Sequence, residues 1–189
     1  VKTELDPATG LLPHQVLPQV TGARGSSQAM IQRFLVDIDP TFARSQYQLF
    51  RDKFVTGLGI RECPKGTAGR GDVDSGPLVL GMSLSATVVG MGAARAHHDS
   101  LANRLSRTGE LVGMPFSGLR TKRYLFGAVP IGDAFLAWST SARPLVATDQ
   151  PAGEGSSGWW RLPWLALLWL PVLLLWGALR LRHRGRRRK

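Results

Sequence analysis

The stretch most able to do chemistry is Arg61-Glu62-Cys63-Pro64-Lys65-Gly66-Thr67-Ala68-Gly69-Arg70-Gly71-Asp72-Val73-Asp74-Ser75-Gly76-Pro77, dense in charge and glycine and followed by an apolar segment. Loops of this kind, held on a rigid scaffold, are where binding and catalysis concentrate. Asp72 and Asp74 are its candidate catalytic acids. A carboxylate at a helix start, partly shielded from water, has its pKa raised toward working pH and serves as a general acid or base. The competing structural role has Asp74 or Ser75 capping the next helix while Asp72 pairs with Arg70 or Arg61.

A second polar loop, Arg24-Gly25-Ser26-Ser27-Gln28, also leads into a helix. Arg24 and the N–H groups there suit an anionic or hydroxyl-rich ligand, and capping alone accounts for Ser26 and Ser27 as well. His14, in a Pro-rich segment, is a candidate loop donor, and Glu62 and Asp133 are further candidate contacts for substrate. Metal chemistry has little to stand on: the single cysteine, Cys63, excludes a zinc site built on a Cys pair, and His97-His98 are adjacent at a helix end and face different ways. No metal and no cofactor are expected.

The formal charge of +11 over 189 residues resembles that of a nucleic-acid binder, but Arg161, Arg180, Arg182, Arg184, Arg186, Arg187, Arg188 and Lys189 supply eight of the 24 basic side chains. The other 16 face all 13 acidic ones, a net of +3 that is ordinary for a solvated domain. A nucleic-acid partner is therefore not expected. With no initiator Met and no apolar leader at Val1-Lys2-Thr3-Glu4, the chain reads as the C-terminal part of a longer protein.

The elements that must hold these residues are helical. Met30/Ile31, Phe34/Leu35 and Ile38 recur at four-residue steps and predict a helix over 27–37 with that face buried. Asp39-Pro40 restarts the chain as cap and first helical residue, with Tyr47, Phe50 and Phe54 as the inner stripe. A small-residue helix over 84–96 follows, its Ala86, Gly90 and Ala94 on one face for close packing, then a helix from Asp99 with Leu101, Leu105, Thr108 and Val112 aligned. A fifth begins at Pro130 and buries Ile131, Phe135, Trp138 and Ala142, while 122–126 is the one short extended piece. Paired helices joined by glycine-rich loops predict an all-α fold, and five helices give an open arc of an α/α toroid rather than a closed ring.

Leu162 to Leu179 is 18 residues without a charge, about 27 Å of helix against a hydrocarbon core of roughly 30 Å. Trp159 and Trp160 stand at its start and arginines follow it, which predicts one C-terminal transmembrane helix over 159–180, a cytoplasmic tail over 181–189 and an extracytoplasmic domain over 1–147. The lipid bilayer is then a partner, and 148–158 (TDQPAGEGSSG) is the linker that joins domain to membrane.

Five runs resemble a group of bacterial membrane-anchored proteins similar to the linalool dehydratase/isomerase domain: Asp6-Pro7-Ala8-Thr9-Gly10-Leu11-Leu12-Pro13, Ala23-Arg24-Gly25-Ser26-Ser27-Gln28, Gly71-Asp72-Val73-Asp74-Ser75-Gly76-Pro77, Tyr124-Leu125-Phe126-Gly127 and Gly132-Asp133-Ala134-Phe135. The resemblance implies the α/α toroid and a lyase or isomerase class. Three functions are expected in order: an acid/base enzyme of that class on a small molecule, a glycan-processing or glycan-binding toroid with paired carboxylates, and a non-catalytic membrane scaffold. Oligomeric state is not legible.

Overall fold

The structure, a computed structural model, describes residues 4–118, 120–145 and 162–186. The expected linker and Trp159-Trp160 lie outside the described residues. The chain divides into two units, Val1–Glu154 and Gly155–Lys189.

In the first unit, α1 (Gly25–Ile38) and α2 (Pro40–Phe54) lead through β1 (Ile60–Arg61) to a loop, then to β2 (Leu78–Val79), β3 (Met82–Ser83), α3 (Leu84–Ala96) and α4 (Leu101–Val112). Strands β4 (Phe116–Ser117) and β5 (Lys122–Arg123), a 3-10 turn at Leu125–Gly127 and α5 (Pro130–Ser141) complete it. Helix α2 forms as its residues dictate: Asp39 accepts the Phe42 N–H at 3.0 Å, Pro40 needs no partner at the first position, and Phe50 and Phe54 are fully buried.

Helix α3 is the centre. It packs against α1, α4 and α5, because its small residues let neighbours approach closely. A Cβ on Gly90 would stand 2.1 Å from Ile60 Cδ1, and one on Gly92 would stand 3.3 Å from Ser139 Oγ. Ser83 starts the helix by accepting the Ala86 N–H at 3.1 Å, so neither Asp74 nor Ser75 caps it.

The all-α expectation is corrected. Two antiparallel sheets are present, one in the order β1-β3-β2 with Ile60 opposite Ser83 and Leu78 opposite Ser83, the other pairing β4 with β5. Leu80 (φ 54) and Gly81 (φ 77) form the left-handed turn that joins β2 to β3, as a type I′ hairpin requires. The open arc of toroid hairpins is corrected with it, since helices grouped about one central helix, with a sheet at its start, are not a succession of stacked pairs. Two buried faces also differ from expectation. Phe34 and Ile38 of α1 and Ile131 and Phe135 of α5 are exposed, while Gln28, Gln32 and Arg33 are buried. Gln28 donates to Leu12 O, and Arg33 donates to Asp37 at 3.0 Å and to Arg143 O at 2.9 Å, so hydrogen bonds replace apolar packing on that face of α1.

In the second unit, α6 (Leu162–Arg186) carries Pro171 in its interior and runs from its apolar residues into the arginines without a break. Among the described residues no helix is long and apolar enough to cross a membrane. That overturns the expected transmembrane helix, and with it the membrane localisation, the extracytoplasmic domain and the cytoplasmic tail.

Candidate functional site

The polar centre is assembled at the start of α1 by segments distant in sequence. Asp6, 7 % exposed, accepts the Ala8 N–H at 3.0 Å, the Thr9 hydroxyl at 2.7 Å and the Ala23 N–H at 3.0 Å, which fixes the residue before Arg24. Burial works to raise the Asp6 carboxyl, but these three donors outweigh it and hold it below the usual carboxylate range. From the end of β1 comes Glu62, fully buried, whose own N–H donates to Gly81 O at 3.1 Å and whose carbonyl accepts the Gly25 N–H at 2.8 Å.

The Glu62 carboxylate does what no residue of α1 does for itself. Arg24, at the N-cap, makes no side-chain cap. Glu62 accepts the Ser26 N–H at 3.1 Å, the Ser26 hydroxyl at 2.9 Å and Arg24 Nε at 2.8 Å, placing an anion at the positive end of the helix. Gly25 makes the approach possible, since a Cβ there would lie 1.8 Å from Arg61 O.

Arg24 then reaches the loop. Its Nη2 donates to Arg70 O at 2.9 Å and lies 3.1 Å from Asp72 Oδ2. Burial opposes the Arg24 charge, but the Glu62 hydrogen bond and the carboxylates of Asp72 and Glu62 more than offset it and raise its pKa. Asp72 Oδ1 accepts the N–H groups of Ser75 at 2.9 Å and Asp74 at 3.1 Å, so Asp72 closes its own turn and pairs with Arg24, not with Arg70 or Arg61. Burial would raise its carboxyl, but the Ser75 N–H, the Arg24 charge, the Ser75 hydroxyl and the His14 ring together lower it. At the same end of α1, His14 Nδ1 meets Ser27 Oγ, both half-buried.

Of the residues singled out from the sequence, the structure thus brings together Arg24, Ser26, Ser27, His14, Glu62 and Asp72. Asp74 is exposed, and its carbonyl accepts from Ser85 Oγ at 2.6 Å. Asp133 is engaged elsewhere: it accepts the Tyr124 N–H at 2.8 Å and pairs with Arg123 at 3.4 Å, joining α5 to β5.

A second polar network escaped the sequence reading. Tyr47 donates to Asp99 Oδ2 at 2.8 Å, and Arg51 pairs with that oxygen at 2.9 Å. His97 stacks on Tyr47 at 4.1 Å and its Nε2 lies 3.1 Å from Gln32 O. Burial pushes the imidazole down to about 4 and, with Asp99, pushes the Tyr47 hydroxyl up. The signal available was Tyr47 on the inner stripe of α2, a ring whose hydroxyl needs a partner once buried. Among the described residues no group of His, Cys, Asp and Glu is placed to hold a metal ion.

No family model, no curated protein and no solved structure matches this chain.

Proposed function

We propose that this chain catalyses proton transfer on a small hydroxyl-bearing molecule, a reaction of the lyase or isomerase class, with His14 as the group that moves the proton and Ser27 as the hydroxyl through which it acts. The observation that carries the proposal is the His14–Ser27 contact at the start of α1. Imidazole is the side chain suited to give and take protons near neutral pH. Asp72 and Asp74, the acids expected to do so, fit less well: the first is ion-paired and held in its charged form, the second is turned to solvent. In a dehydration, the imidazolium passes its proton through the Ser27 hydroxyl to the departing hydroxyl, water leaves, and a proton from the neighbouring carbon returns to the ring by the same route. The alcohol becomes alkene and water, and His14 is restored. Arg24 and Glu62 keep the start of α1, and with it Ser27, in place.

The resemblance of the loop motifs to the linalool dehydratase/isomerase group selects the probe, a panel of small allylic alcohols with alkene and rearranged alcohol read by gas chromatography. Turnover by the wild-type chain and loss of about a hundredfold in Ser27→Ala supports the proposal. Turnover unchanged in Ser27→Ala, or none by wild type with any member of the panel, contradicts it.

A second role is favoured by a specific observation. Glu62 and Asp72 converge on one guanidinium, as a glycan-processing pair would have to converge, but both are saturated by donors. Such saturation suits a binding scaffold whose loops are locked by ion pairs. It does not suit a glycosidase, which needs one carboxyl protonated.

A further inference from the structure

On another part of the same loop lies a pocket of about 530 Å³, lined by Thr56, Gly57, Arg61, Lys65, Thr67 and Arg104 among others. We infer that it binds a phosphate-bearing small molecule. The volume is in the range of small-molecule sites, roughly 300 to 1,000 Å³, and far exceeds what one phosphate needs, which leaves room for an organic remainder.

Three cations line this pocket, Arg61 and Lys65 from one stretch and Arg104 from α4, and no carboxylate does. Two nearby carboxylates are engaged elsewhere: Glu62 is buried against Arg24 and Ser26, and Asp99 is held by Arg51 and Tyr47. Arg61 is fixed by carbonyl groups, with Nε 3.3 Å from Cys63 O and Nη2 3.1 Å from Thr67 O. The walls are also held. Lys65 N–H donates to Lys53 O at 2.8 Å at the end of α2, Thr67 N–H donates to Pro64 O at 3.0 Å, and the Thr56 hydroxyl donates to Gly59 O at 2.8 Å.

A single carboxylate would neutralise one of the three charges. A phosphate ester carries nearly two negative charges and three terminal oxygens, and matches a site offering guanidinium, ammonium and hydroxyl donors from several directions. Cations lining one pocket also concentrate such anions from solution.

The test is isothermal titration of the full chain with pyrophosphate, inorganic phosphate and acetate, in wild type, Lys65→Ala, Arg104→Ala, the double variant and Arg107→Ala. Arg107 is exposed on α4 and does not line the pocket. The expected result is pyrophosphate binding well above acetate, weakened about fivefold to tenfold by each pocket substitution and more by the pair, and unchanged in Arg107→Ala. Melting temperatures should stay at the wild-type value, since Lys65 and Arg104 are exposed. The inference is overturned by wild type failing to bind pyrophosphate, by acetate binding as well, by the double variant binding like wild type, or by an equal loss in Arg107→Ala.

Discussion

Replacing Glu62 with glutamine keeps the shape of the side chain and removes its charge from a fully buried position. Three donors meet that carboxylate, namely Arg24 Nε, the Ser26 N–H and the Ser26 hydroxyl. Glutamine offers one oxygen and one NH2, so at least one donor is left facing another donor, and Arg24 loses its buried counter-charge. Breaking a buried pair from one side costs about 3 to 5 kcal/mol. Here Arg24 is 25 % exposed and keeps Asp72 at 3.1 Å, which lowers the cost toward that of one lost charged hydrogen bond, about 2 to 3 kcal/mol. For a chain of this length that is a fall in melting temperature of about 5 to 10 °C. Circular dichroism through thermal and urea unfolding reads it, in wild type, Glu62→Gln, Arg24→Gln and the double variant. Coupling between the two positions should exceed about 1 kcal/mol. A Glu62→Gln protein within about 0.5 kcal/mol of wild type, or strictly additive effects, would refute the claim that this carboxylate caps α1 and holds Arg24.

Gly25→Ala forces a methyl group to within 1.8 Å of the Arg61 carbonyl, a backbone atom that no rotamer change relieves. It should destabilise by about 1 to 3 kcal/mol, measured by urea unfolding, with the loss falling on the same clasp as Glu62→Gln. Stability should also fall between pH 6.5 and pH 4.5. The unfolded chain takes up a proton at His97 near pH 6.5, whereas the folded chain holds that ring neutral down to about 4, so the stabilisation is whole above pH 6.5 and is lost as pH falls, by about 2 kcal/mol. In His97→Phe, which keeps a ring against Tyr47, the slope over this window should vanish. Asp6 and Asp72, with depressed carboxyls, add a further loss only below about pH 4, where the unfolded chain takes up protons first.

Where a local signal decided the structure, the residues could be read directly. Asp39-Pro40 and the Tyr47, Phe50 and Phe54 stripe specify α2, and the four-residue spacing of Ala86, Gly90 and Ala94 specifies a helix that others approach closely. Strands of two residues carry no alternation to detect: the extended piece expected over 122–126 contains β5, but its pairing with β4 and the whole of the β1-β3-β2 sheet were not legible. The buried face of α1 was misread because Gln28 and Arg33 are satisfied by Leu12 and Arg143, partners that no periodicity reveals. The candidate site was legible as residue types and not as an arrangement. Arg24 and Glu62 stand 38 positions apart, and only the folded chain shows that Glu62 caps α1 while Asp72 closes a turn and Asp74 points away. A run of apolar residues at Leu162 likewise says nothing of the helix continuing into the arginines.

The most direct measurement of the central claim is kcat/KM on the allylic alcohol panel for His14→Gln against Asp74→Asn. The account predicts a loss of about a hundredfold or more in the first and wild-type turnover in the second, with both variants folded by circular dichroism. Wild-type turnover in His14→Gln, or a comparable loss in Asp74→Asn, would contradict it.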